Sequence, residues 1–101
     1  MYNYYFAFAS QNFLLNEEPL EEILRERTEY YKSINKNIDF WLILNPDFID
    51  FSEFNIDYLQ SKNSYAAIVS LDKHFIQWLK LRMTFISIGK FTSTSVFIHN
   101  S

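Results

Sequence analysis

Residues 38–44 read Ile38-Asp39-Phe40-Trp41-Leu42-Ile43-Leu44, apolar at every position except Asp39. A strand with one wet face alternates polar and apolar residues. An unbroken apolar run is the pattern of a strand covered on both faces. The run therefore predicts a buried strand at the centre of a sheet, which makes the fold a layered one. Asp39 is the exception. It either pairs with an internal cation or stands at the rim, at the end of the sheet.

The flanking segments supply the other layers. Tyr2, Tyr4, Phe6 and Phe8 alternate with Asn3, Tyr5, Ala7 and Ala9. That is a strand with one bulky face and one partly small face, against which a helix can pack closely. Ser10–Leu15 reads as a connection or short turn. Residues 17–36 carry the strongest helical pattern. Pro19 suits a first turn, Asn16 or Glu18 can cap it, and Glu17, Glu18, Glu21 and Glu22 complement the positive end of the helix dipole. At about 100° per residue, Leu20, Ile23, Leu24, Tyr31 and Ile34 share one face. Asn35-Lys36-Asn37 ends the helix, and Asn45-Pro46-Asp47 is a turn.

Residues 48–62 fit either a short helix or an irregular flap, and Lys62-Asn63-Ser64 a loop. Ala66–Ser70 is a short buried strand. Asp72 or Ser70 caps a helix running to about Arg82. Residues 83–92 alternate as a last strand, and Gly89 inside it signals a bulge or a close backbone approach. Beyond it lies a tail with an apolar Val96-Phe97-Ile98. The order β-α-β-(α)-β-α-β predicts an α/β (α+β) fold. It forms one domain over residues 1–101, with four strands flanked by about three helices.

Composition removes whole classes of function. The net charge is −3, with 12 acids against 9 bases and no basic run, so nucleic acid is not an expected partner. No cysteine is present, which excludes disulfides and thiolate chemistry. No apolar run approaches the roughly 18 residues of a transmembrane segment, and the apolar start lacks the basic region of a signal peptide. Aromatic residues make up 20% of the chain, more than a small core absorbs easily, so some are expected on an interaction surface. The abundance of Asn, Ile, Phe, Tyr and Lys matches an AT-rich coding genome.

Two arginines stand out. With Leu71 at 0°, Phe75 falls near 40°, Trp78 near −20°, Leu79 near 80° and Arg82 near 20°, by rotations of about 100° per residue. Arg82 is thus placed on the apolar stripe, and Arg27 lies similarly on the stripe of the longer helix. A buried guanidinium needs an acceptor. Arg27 reads as a snorkelling or internally paired residue. Arg82 admits an internal ion pair, capping carbonyls, or a partner's carboxylate. Asp39 is a candidate internal partner for either. Trp41 and Trp78 read as core. His74 falls off the stripe, and His99 lies near the C-terminus. No metal-ligand spacing, nucleophile elbow or phosphate loop is present, so no catalytic residue, cofactor site or metal site is assigned and the chain is not expected to be an enzyme in its own right.

Several blocks together resemble the Ycf54 family: Tyr4-Tyr5, Glu26-Arg27-Thr28, Tyr30-Tyr31, Asp39-Phe40-Trp41-Leu42, Ala67-Ile68-Val69-Ser70, Trp78-Leu79-Lys80-Leu81-Arg82 and Gly89 with Phe91. The resemblance spans residues 4–91. It implies four antiparallel strands flanked by helices. It also implies a non-catalytic accessory or assembly subunit of the aerobic magnesium-protoporphyrin IX monomethyl ester cyclase of chlorophyll biosynthesis. Such a subunit acts by binding the membrane-associated, di-iron catalytic subunit. The family's interaction surface maps onto Asp39, Phe40 and Arg82. A plastid (chloroplast) or cyanobacterial setting follows, at the thylakoid periphery, and the AT-rich composition favours a plastid-encoded copy. The alternative reading is a small carrier of the porphyrin intermediate with an aromatic pocket. Residues 48–65 depart from the family pattern.

Overall fold

Alternation in the first segment becomes β1, Tyr2–Ser10, whose partners are antiparallel strands on both sides. In the computed structural model, residues 1–17, 20–46, 65–83 and 86–93 are described. They form β1, a π-helical turn at Phe13–Glu17, α1 (Leu20–Ser33), β2 (Phe40–Leu44), β3 (Tyr65–Ser70), α2 (Lys73–Arg82) and β4 (Ser87–Ser93). The strands make one antiparallel sheet in the order β2-β3-β1-β4. The expected helix or flap at 48–62, the loop at 62–64, the Glu18-Pro19 start of α1 and the apolar tail at 96–98 lie outside the described residues.

The sheet has a core cluster on each face, which corrects the reading of the 38–44 run. On one face Ala7, Ala9, Ala66, Ile68 and Phe40 meet Leu20 and Tyr31 of α1 and Phe75, Ile76 and Leu79 of α2. On the other face Tyr4, Phe6, Phe8, Ile43, Ala67 and Val69 cluster, with Trp41 and Phe91 against them. β2 contributes to both, so its residues are apolar in succession. Yet it is an edge strand, hydrogen-bonded on one side to β3 alone among the described strands. Edge position shows in its exposure: Trp41 and Leu42 are half-buried and Leu44 is 50% exposed. The central strands are β1 and β3, and Ala66, Ala67, Ile68, Val69 and Ser70 are all fully buried.

The small residues do the work expected of them. Ala7 and Ala66, with no exposed surface, let the helices lie close to the sheet. The bulky face instead packs ring on ring, with Tyr4 stacked on Phe91 at 5.1 Å between centroids. Gly89 sits opposite Phe6 in the β1–β4 ladder, and the close approach read from the sequence is a ring. A Cβ built on Gly89 would lie 2.5 Å from Phe6 Cζ. Phe6 is 5% exposed and in contact distance of Phe8 and Phe91, so the ring has little room to retreat.

Gly89→Ala is therefore expected to destabilise the fold by about 1–3 kcal/mol through overpacking. Urea unfolding measures it. In the double variant Phe6→Leu/Gly89→Ala the clash is relieved, so the two costs should sum to more than the measured one. Additive costs would refute the steric account.

Candidate functional site

Local structure at two helix ends brings five polar side chains together. α1 stops because Asn35 takes a left-handed conformation, φ 55°. The amide of Lys36 then reaches the carbonyl of Tyr31 at 2.9 Å and that of Asn35 reaches Lys32 at 3.3 Å. This paired closure is the Schellman arrangement, with Asn where Gly is commonest. It also explains why Ile34, expected on the buried stripe, is 49% exposed: the helix has already ended. Lys36 is turned back toward the Tyr31 ring, its Nζ 4.6 Å from the centroid.

α2 is capped by Asp72, one of the two caps, Asp72 or Ser70, that the sequence allows. Its Oδ1 accepts from the amides of His74 (2.9 Å) and Phe75 (3.3 Å). The other oxygen, Oδ2, accepts from Arg27 Nη2 at 2.9 Å. The same Nη2 donates to the Tyr31 hydroxyl at 2.8 Å, and that hydroxyl donates to Asp39 Oδ1 at 2.8 Å. Lys36 Nζ lies 3.6 Å from Asp39 Oδ2. The Arg27 guanidinium sits 3.8 Å from the centroid of Phe75, 5.0 Å from Tyr31 and 5.6 Å from Phe40. Arg27 Nε is buried and has no hydrogen-bond partner among the described residues. Flat delocalised charge suits such a ring-lined site, which an ammonium would not fill.

The electrostatics follow from this geometry. Burial pushes the Asp72 carboxyl up, but the amides of Phe75 and His74 and the charge of Arg27 outweigh it and hold it below 3.8. Burial and the hydrogen bond to Asp39 push the Tyr31 phenol above its ordinary value, so it stays a donor. Lys36 is pushed up: partial burial opposes its charge, and Asp39 and Tyr31 more than compensate.

The predicted site residues divide into two places. Asp39 and Phe40 belong to this network. Asp39 is mostly buried and its carbonyl accepts from Leu71 N at 3.0 Å. Phe40, 6% exposed, packs edge-on against Tyr31 at 5.5 Å and near Phe75 at 5.8 Å. Arg82 is elsewhere. The pairing of Phe40 with Ser70 puts Asp39 beside the start of α2, and Arg82 ends that helix, about 15 Å away at 1.5 Å per residue.

Arg82 is exposed, and makes no ion pair or hydrogen bond with the described residues. The placement on the buried stripe is corrected: α2 buries Phe75, Ile76, Leu79 and the following Met83. That sector is centred near 90° on the earlier wheel, roughly 70° from Arg82. Leu71, which had set the phase, precedes the helix. Trp78, expected in the core, is 46% exposed, its ring stacked on Phe75 at 6.3 Å. His74 is exposed, as its angle predicts.

Two adjoining clefts lie along β1 and β4, one of them also against α2. One of 290 Å³ is lined by Tyr5, Lys73, Ile76, Gln77, Ile88, Gly89 and Lys90. The other, of 360 Å³, shares Tyr5 and Lys90 and adds Asn3, Phe91 and Thr92. Among the described residues no three His, Asp or Glu side chains converge as a metal site, and no helix is long and apolar enough to cross a membrane.

With this sheet and network in view, comparison with known proteins is decisive. The family model described as Ycf54 protein matches residues 2–93. The chain belongs to the Ycf54 family. An uncharacterized protein ycf54 of Porphyra purpurea is 54% identical over 91 residues, covering 90% of this chain and 84% of that one. The solved structure of the Ycf54 protein from Synechocystis sp. PCC6803 superposes with a TM-score of 0.77 at 44% identity, covering 94% of this chain and 90% of that chain. Protein YCF54 of Arabidopsis thaliana, named as chloroplastic, is 32% identical, and the match covers 92% of this chain but 44% of that protein.

Sequence reasoning identified Asp72 only as a cap and did not assign Tyr31 a polar role. The available signal was spacing: Arg27 and Tyr31 are i and i+4 on the same stripe, so a cation and a phenol lie within reach of each other.

Asp72→Ala removes a helix cap and an ion pair, and is expected to cost about 2 kcal/mol at pH 7 by urea unfolding. Because the folded-state value is depressed, the contribution is complete above about pH 5 and fades as pH falls through it. The gap between wild type and variant should therefore shrink toward pH 3. A gap of constant size would refute the assignment. Tyr31→Phe, which strands Asp39 and an Arg27 proton, should cost about 1–2 kcal/mol.

Proposed function

We propose that this Ycf54 protein is a non-catalytic accessory subunit of the aerobic magnesium-protoporphyrin IX monomethyl ester cyclase. It acts by binding the di-iron catalytic subunit. The setting we assign is a plastid or a cyanobacterial cell, at the thylakoid periphery through that partner. Family membership over residues 2–93 supports the reading. The observation that carries it is Arg82: an exposed guanidinium with no partner among the described residues, at the end of a helix that has no acid. An arginine that neutralises no acid among the described residues can bind a carboxylate from outside, in the bidentate geometry that suits it.

Asp39 and Phe40 take a different part in the same reading. Phe40 is buried and Asp39 is tied to Tyr31 and Lys36. Their contribution is to fix the start of α2, and through it the direction of the helix that presents Arg82.

The carrier alternative requires a pocket lined by aromatic rings. The two clefts described above present Tyr5 and Phe91, and Phe91 is already stacked on Tyr4. Absorbance titration with the magnesium porphyrin separates the two, because tight one-to-one uptake by the isolated protein would establish a carrier.

Arg82→Ala is expected to melt within about 2 °C of wild type, as an exposed substitution does, and to recover less catalytic subunit on co-purification. Asp39→Ala should melt several degrees lower, since it leaves Tyr31 and Lys36 without their acceptor. Unfolding of Arg82→Ala, or undiminished recovery, would defeat the role given to Arg82.

A further inference from the structure

α2 carries two apolar stripes. Its inner one, Phe75, Ile76 and Leu79, is in the core. Outside that sector His74, Trp78, Leu81 and Arg82 follow the spacing i, i+4, i+7, i+8, and all four are exposed. Leu81 is 81% exposed and Trp78 46%. A surface helix ordinarily makes this second side polar. The helix is also one-sided in charge: it holds Lys73, Lys80 and Arg82 and no Asp or Glu, in a chain whose net charge is −3. Lys80 is turned inward to the carbonyl of Ile86 at 2.6 Å and Lys73 lines the cleft beside Tyr5 and Gln77, leaving Arg82 as the exposed cation of the outer side among the described residues.

We propose that this outer ridge is a helix-docking surface, and that its occupant is an amphipathic helix of a partner protein with an apolar seam flanked by carboxylates. The inference deepens the partner-binding reading above and rests on it. The ridge spacing matches the seam of a packed helix pair. Trp78 is a rigid anchor because its ring is backed by the buried Phe75 at 6.3 Å. Tryptophan and arginine at the centre of a patch are the residue types that carry most binding energy. Charge complementarity selects an acidic partner: an exposed Arg82 on a helix that contains no acid attracts carboxylates and repels a basic helix.

The test uses the full chain and the purified cyclase catalytic subunit in detergent, with affinities measured by calorimetry. Leu81→Glu, at a solvent-facing position that does not touch the core, and Trp78→Ala are each expected to weaken binding tenfold or more. Arg82→Glu should do the same and should flatten the salt dependence seen in wild type between 50 and 500 mM NaCl. Tyr30→Ala, an exposed aromatic on α1, should stay within twofold. Circular dichroism melts confirm folding of each variant.

If wild type binds and Leu81→Glu binds equally well, the ridge proposal is overturned while the accessory role stands. If wild type does not bind the subunit at all, the accessory role falls, and the ridge with it. Binding to phosphatidylglycerol vesicles that Leu81→Glu abolishes, without subunit binding, would overturn the protein occupant in favour of a membrane surface. A homodimer in light scattering that Leu81→Glu disperses would overturn it in favour of a second copy.

Discussion

A guanidinium inserted among three aromatic rings has to be neutralised, and Asp72 neutralises Arg27 while capping α2. That double use links elements far apart in sequence. Arg27 belongs to α1, Asp72 to the junction of β3 and α2, and Tyr31 passes the link on to Asp39 at the start of β2. The Tyr31 hydroxyl is satisfied both as acceptor and as donor, so removing any member leaves a partly buried polar group unpaired. The orientation of both helices relative to the sheet edge depends on this one cluster.

The sheet imposes the complementary constraint. Its helix-facing side is floored by Ala7, Ala9 and Ala66, and its other side by Tyr4, Phe6 and Phe8. Alternation along β1 therefore decides both the approach of the helices and the ring packing opposite them. A glycine at 89 follows from the second: the Phe6 ring occupies the space a side chain would need. A single residue slip in β1 would exchange the two sides and place the large rings under the helices.

α2 is held at its beginning by Asp72 and along its inner side by Phe75, Ile76 and Leu79. On its outer side Leu81 and Arg82 stand exposed, while Trp78, 46% exposed, stacks on Phe75. Residues 39 and 40 stand beside the start of this helix, and Arg82 is at its other end.

The sequence by itself determined four strands and two longer helices, a cap at Asp72 or Ser70, an end of α1 within Asn35-Lys36-Asn37, a bulge or close approach at Gly89, and the family. Each of these rests on local periodicity or on one residue's backbone chemistry, which near neighbours in the chain report. Only the tertiary structure decided lateral order and phase. An apolar run such as 38–44 records that both faces of a sheet are covered, and an edge strand of a sheet with two core clusters satisfies that as well as a central one. The buried side of α2 depends on where the helix begins, and Leu71, one residue before its cap, shifted the apparent centre of the stripe onto Arg82. Asp39 and Arg82 could be matched by charge from the sequence, but the length of α2 keeps them apart. Arg27 found its acid because folding brought Asp72, 45 residues on, to within 2.9 Å of it.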